Sequence, residues 1–350
     1  MFLLDKYNII SSLDDITFHN NIYKDILTLK KNGKSFDNIP HFLFSGSSGS
    51  GKNTIINFLL ENIYDKRIHH KKKVVYSVSG YSNSSVMYEV EQSDFHLIIE
   101  PSGSGFDKYL VQEIIKEYAQ QKLIDVYGIK RNFKIILVKN VDNMSFFAQT
   151  ALRRMMEKYA HVCKFILCGY QLSKIIEPIR SRCLEIRVPS PTDNEIFKTI
   201  FKIAIKEHKL LELNDFNYII QNCNRNIKKA IWLLECTIHK IDPDFKWKDK
   251  LQIITSYMVN IKKIKMISEK HIEHIRQLLY DIFITNISGT SVLTELMKQL
   301  LDRINSDLLK HKILEIVSHF EHNLSRGKRT VIHLEAFINN IMLLIYDFNS

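Results

Sequence analysis

No stretch of eighteen or more consecutive apolar residues occurs in the 350-residue sequence, so nothing in it reads as a membrane span and no membrane partner is expected. The opening "MFLLDKYNII" carries Asp5 and Lys6 and lacks a small-residue cleavage site, unlike a secretory signal. Cysteines number only five, an odd count, and all sit in apolar segments. No C-x-x-C is present, which excludes the usual zinc and disulfide frameworks and predicts a reducing, intracellular setting. Internal repeats and low-complexity tracts are missing as well. Also absent is any apolar run that ends in two adjacent acids, and that gap matters below.

What is there begins with charge. A formal net charge of +11 favours an anionic partner, nucleic acid first, although charge alone fixes no geometry. The length suggests two or three domains. In the first half, strand-like runs alternate with helical ones: "HFLFSG", "KKVVYSVSG", "FHLIIEP", "FKIILVKNVD", "CKFILCGY" and the edge-like "CLEIRVPSP" are the strands. "NTIINFLLENIY", "KYLVQEIIKEYAQQKL" and "FAQTALRRMMEKYA" are the helices. This alternation predicts an α/β domain with a mostly parallel sheet covered on both faces. At "RVPSPTDNE" two prolines and a Thr-Asp pair stop that unit, and the remainder is helical. With a hinge at "HKIDPDFKWKD", the expected division is 1–188, a three-helix lid at 189–245, and a helical bundle at 246–350.

The chemistry lies in "FSGSSGSGKNTII". Gly46, Ser47, Ser48, Gly49, Ser50, Gly51 and Lys52 nearly satisfy the phosphate-loop pattern between a strand and a helix. Glycines let backbone N–H groups turn onto phosphate oxygens, the helix N-terminus favours the anion, and lysine reaches the terminal phosphates. The last position normally offers a hydroxyl to Mg²⁺; here it is Asn53, and Thr54 comes about 100° further round the helix. The strand "KIILVKNVD" ends in Lys139 and Asn140, where an Asp-Glu pair would hold the metal and activate water, and Asp142 stands three residues late. The pattern predicts a phosphate site for a nucleotide, with Mg²⁺ possible but its ligands degenerate.

At this point the sequence resembles the small subunits of replication factor C. "KNVDNMSFFAQTALRRMMEKYA" and "PIRSRC" are similar to that family's strand, its A-L-R-R-x-x-E-K-Y helix and its S-R-C turn. "LLDKYNIISSLDD" is similar to its opening segment, with Asn8-Ile9 in place of Arg-Pro, and "NIPHFLFSG" to its approach to the phosphate loop. The resemblance spans residues 1 to about 235 and is greatest to the subunit type that lacks the Asp-Glu pair. It implies an AAA+ clamp-loader subunit that binds nucleotide without turning it over, within a hetero-pentamer that opens a sliding clamp on primer–template DNA. It also implies roles for single residues. Arg182 of "SRC" would reach a neighbouring subunit's ATP site, Tyr170 replaces an asparagine that senses the γ-phosphate, and Lys228 replaces a lid arginine. DNA contact would be to the backbone, at the site of replication, in the nucleus of a eukaryotic host.

Other features have plainer expectations. Arg67 to Lys73 reads as a solvated loop before a strand, and Phe146 and Phe147 as buried under their helix. Cys168 and Cys183 read as small buried hydrophobes. Arg153 and Arg154 suit interfaces or DNA equally. Two functional alternatives stay open: a working P-loop ATPase of the replication-initiator type, and a scaffold with no nucleotide.

Overall fold

The structure, a computed structural model, describes residues 2–7, 17–31, 39–64, 66–79, 85–101, 107–121, 133–209, 211–241, 246–259, 269–284, 287–326 and 329–349. Asn8 and Ile9 lie outside them. The chain divides into two compact units, residues 1–242 and 243–350, and the division falls within the stretch read as a hinge.

The first unit is built on a seven-stranded sheet of order β2-β3-β4-β5-β6-β1-β7. The strands are β1 (His41–Ser45), β2 (Lys72–Ser79), β3 (Ser85–Gln92), β4 (His96–Ile99), β5 (Lys134–Val138), β6 (Cys163–Gly169) and β7 (Cys183–Arg187). β4, β5, β6, β1 and β7 run parallel, while β2 and β3 form an antiparallel edge hairpin. Period-two alternation sends neighbouring residues to opposite faces. Leu43, Ile136, Val138, Phe165 and Leu167 pack on one face, against α4 (Asp107–Gln120) and α5 (Phe146–Lys158). Phe42, Phe44, Ile135, Leu137 and Ile166 pack on the other, against α2 (Asn20–Lys31) and α3 (Lys52–Ile63). Both faces being covered explains why these strands appear as unbroken apolar runs. β3 was not anticipated. Its alternation of Val86, Tyr88 and Val90 with Met87, Glu89 and Glu91 is the signal that marks it.

Three further helices, α7 (Asp193–Lys206), α8 (Leu213–Cys223) and α9 (Ile227–Ile238), share a separate core around Ile200, Phe216, Ile219 and Leu234. α7 starts on a capping box made by Thr192 and Glu195. The short α1 (Leu3–Lys6) and Phe18 pack against this core. Between β6 and β7 lies one helical turn, α6 (Glu177–Arg180).

The second unit holds α10 (Lys246–Val259), α11 (Glu269–Phe283), α12 (Gly289–Arg303), α13 (Asp307–Arg326) and α14 (Thr330–Asn349) around one apolar core. By length and composition α14 is apolar enough to cross a membrane, which the absence of a continuous apolar run did not reveal. Leu334, Phe337, Ile338, Ile341, Met342 and Ile345 instead fill the bundle core. That face is one side of the helix only, and Ile332, Leu343, Tyr346 and Phe348 are exposed.

One expectation is overturned. Phe146 and Phe147 are 66% and 71% exposed, because Ala148, Ala151 and Leu152 take the buried face of α5 and leave the first turn outward. Cys168 is buried as expected and Cys183 only partly so. Lys72 and Lys73, where the loop and strand readings overlap, belong to β2 as the strand reading has it, and Lys66–His69 form a single helical turn.

Burial also sets a pH dependence. His96, at the head of β4 beside Ser93, is pushed down to about 3, first by burial and then by Lys71 and His69. The unfolded chain binds a proton between pH 6.5 and that value and the folded chain does not, so this contribution is complete above pH 6.5 and is lost on acidification. Urea unfolding is therefore expected to show wild type losing about 2 kcal/mol more than His96→Gln between pH 6.5 and 5. Equal losses would contradict the assignment.

Candidate nucleotide site

β1 ends at Ser45 and α3 begins at Lys52, so residues 46–51 make the turn. Gly49 (φ 72°) and Gly51 (φ 91°) are in the left-handed region that disfavours side chains. Space is as tight as torsion: a Cβ on Gly49 would lie 1.9 Å from Asn226 Oδ1, and one on Gly46 would lie 2.1 Å from the Val188 carbonyl oxygen. The loop is tied on three sides. Gly46 N–H donates to Gly169 O (3.3 Å), the His19 ring Nε2–H to Ser50 O (3.1 Å), and Ile227 N–H to Gly49 O (3.1 Å). The last bond joins the loop to the first residue of α9, whose N-cap is Asn226.

Lys52 is only 6% exposed. Its ammonium donates to Gly46 O and Ser47 O, both at 2.7 Å, and lies 4.4 Å from the centre of the Tyr170 ring. Burial pulls its pKa down, partly offset by Cys168 and Asp142, and Lys228 pushes it down further.

A cavity of about 320 Å³ opens beside the loop. Tyr7, Phe18, Ile203, Ile227 and Ile231 make an apolar portion of its wall, and Ser48, Gly49, Gly51, Asn53 and Thr54 bring the loop and the start of α3. Lys52, Lys139, Lys202, Lys206 and Lys228 also line it, and Glu100 is the single acid among the lining residues. An apolar wall, a glycine cradle and an excess of cations fit an anion that carries a flat apolar group. A nucleotide fits this donor set.

Mg²⁺ does not fit so well. The strand register pairs Val138 with Leu167 and Ser45 with Gly169, which brings Lys139 and Asn140 to the loop end of the sheet. Glu100 is engaged by both, at 3.5 Å from Lys139 Nζ and 3.0 Å from Asn140 Nδ2. Asp142 is buried, and its Oδ2 accepts from Gln171 N–H at 3.3 Å. No group of three or more His, Cys, Asp or Glu suited to a metal occurs among the described residues.

Arg182 is elsewhere. His41 pairs with Cys183, so Arg182 precedes the start of β7 while the loop follows the end of β1. Five strand residues, and so six rises along the strand, separate the two levels, about 20 Å. The arginine does not reach its own loop. It forms an ion pair with Glu157 (2.8 Å) and donates to Pro178 O (2.8 Å).

The structure thus brings together Gly46, Ser47, Ser48, Gly49, Ser50, Gly51, Lys52, Asn53, Thr54, Tyr170 and Lys228, and sets Arg182 apart. Sequence reasoning did not single out Tyr7, Phe18, Glu100, Lys202 or Lys206. Lys202 and Lys206 are four apart on α7, a spacing that puts them on one face, but nothing in the sequence aims that face at the loop.

Comparison with known proteins bears on the whole chain. Residues 251–349 match the family described as replication factor C subunit 3, C-terminal domain, and residues 20–192 match DNA polymerase III, delta subunit. A replication factor C small subunit of Acanthamoeba polyphaga mimivirus is 37% identical over 98% of this chain and 90% of its own length. Replication factor C subunit 5 of Oryza sativa subsp. japonica is 33% identical over 99% of this chain and 98% of its own. Among solved structures, a DNA polymerase III gamma subunit-related protein of Thermotoga maritima aligns at TM-score 0.49 with 15% identity, over 91% of this chain and 99% of that one.

The contact between Gly49 and Asn226 can be tested directly. Gly49→Ala is expected to cost about 1–3 kcal/mol in thermal or urea unfolding, from strain and clash together. In an Asn226→Ala background, where the clashing amide is gone, the same change is expected to cost less. Simple additivity of the two changes would contradict the close approach.

Proposed function

Because this chain belongs to the replication factor C small-subunit family, we propose that it is a clamp-loader subunit that holds ATP or ADP without hydrolysing it and serves a neighbour with Arg182. The nucleotide, when bound, supplies the negative charge that the loop and its lysines lack. Backbone N–H groups of the loop after Gly46 and the N-terminus of α3 receive the phosphates, Lys52 and Lys228 add charge, and Tyr7 and Phe18 shield the apolar group. Turnover at this site would need a base and a metal ligand at the end of β5. Lys139 and Asn140 provide neither.

The observation that carries the reading is the separation of Arg182 from its own loop by about 20 Å of sheet. A guanidinium so placed meets a triphosphate only in another molecule. There it would stabilise charge developing on the γ-phosphate, an effect worth about 10³ to 10⁵ in rate for such arginines. The assembly would be a hetero-oligomer of clamp-loader subunits, joined through the C-terminal helical unit, acting on a sliding clamp at the site of DNA replication. Contact with primer–template DNA would be to the phosphate backbone, sequence-independent and strongly salt-dependent.

The test is ATP turnover by this chain assembled with its partner small subunits and primer–template DNA. Arg182→Ala is expected to remove a large share of turnover, and Lys52→Ala to change it little. Abolition by Lys52→Ala with no effect of Arg182→Ala would make the chain an ATPase in its own right and overturn the reading.

A further inference from the structure

The surroundings of Arg182 hold a carboxylate that the function above does not use. Glu157 is in the last turn of α5, and its Oε1 is 2.8 Å from Arg182 Nη2. The same oxygen is 3.9 Å from Arg153 Nε, one turn back on α5. Arg153 Nε is buried and makes no hydrogen bond. One carboxylate therefore stands between two guanidinium groups.

We propose that Glu157 is a positioning residue for the arginine that acts in trans, holding its guanidinium in a fixed direction before a neighbour's nucleotide arrives. This inference rests on the reading of Arg182 given above. Three anchors define the direction. Nη2 is held by Glu157, while Nη1 donates to Pro178 O at 2.8 Å and to Ser181 Oγ at 3.4 Å. These come from α5 and from the turn around α6, so the planar fork is fixed from two elements.

The other arginine of the same turn is used differently. Arg180 Nε donates to Glu185 (2.7 Å) and its Nη1 to Glu177 (3.4 Å), both acids of its own α6–β7 segment. Glu157 comes to Arg182 from a separate helix. That helix is itself firmly seated: Ser145 caps its start, and the Gln149 side chain donates to Met144 O and Lys174 O and accepts from Ile176 N–H.

The Arg182–Glu157 pair is about half exposed on both sides, so solvent screens it and it adds little to stability. What it supplies is orientation. An arginine side chain has many rotamers, and ordering it in advance removes that cost from the reacting complex. Without the carboxylate's charge, Arg153 and Arg182 would repel each other and the fork would swing away. A neighbour's triphosphate carries more charge than one carboxylate, so it can take the guanidinium over when it docks.

The experiment is a double-mutant cycle in the assembled hetero-oligomer with primer–template DNA, measuring kcat and KM for ATP in wild type, Glu157→Gln, Arg182→Ala and the double variant. Glu157→Gln is expected to lower the Arg182-dependent kcat about tenfold with KM unchanged. It is expected to have no further effect once Arg182 is alanine, and to leave the thermal midpoint of the chain unmoved. An unchanged or raised kcat in Glu157→Gln would overturn the inference. So would an equal fold-loss in both backgrounds, which marks a merely structural role. If Arg182→Ala itself leaves turnover intact, the reading of Arg182 fails, and this inference falls with it.

Discussion

The loop end of the sheet depends on how closely the backbone of residues 46–51 approaches its surroundings. Val188 comes from one side and Asn226 from the other, each nearer than any Cβ would allow. That approach brings Ile227 N–H onto Gly49 O and so fastens the α7–α9 helices to the loop. It also places Lys228, one residue further along α9, at the cavity wall. Backbone proximity and lid position are therefore one constraint. Only glycine meets it at position 49.

Around this frame the lining favours an anion, and the end of β5 presents Lys139 and Asn140 rather than acids. Five lysines against one carboxylate favour phosphate, yet the carboxylate is already engaged by Lys139 and Asn140. Those two residues stand where an acid pair would face the loop. Their side chains both engage Glu100.

Much of this was legible in the sequence, for a physical reason. Strands buried on both faces must be continuously apolar, so β1, β4, β5 and β6 announce themselves. β3 escaped because Glu89 and Glu91 break the apolar run on its outward side, leaving only alternation to find it. The loop was readable because glycine spacing is local. The opposite wall of the cavity was not, because Tyr7, Phe18, Lys202 and Lys206 meet the loop from distant parts of the chain. Phe146 and Phe147 were misplaced for a related reason: apolar character names a helix face only after the neighbours that compete for the core are known. In the C-terminal unit, helical character was evident, but which side of α14 enters the core had to be seen.

Lys52 carries one more consequence. Its ammonium is already served by two carbonyls of its own loop and by the Tyr170 ring. The ammonium is thus compensated by the loop's own carbonyls and a neighbouring ring. A phosphate that reached for Lys52 would have to displace partners already there. Its affinity would then be set by competition with the loop's own carbonyls rather than by the charge of Lys52 alone.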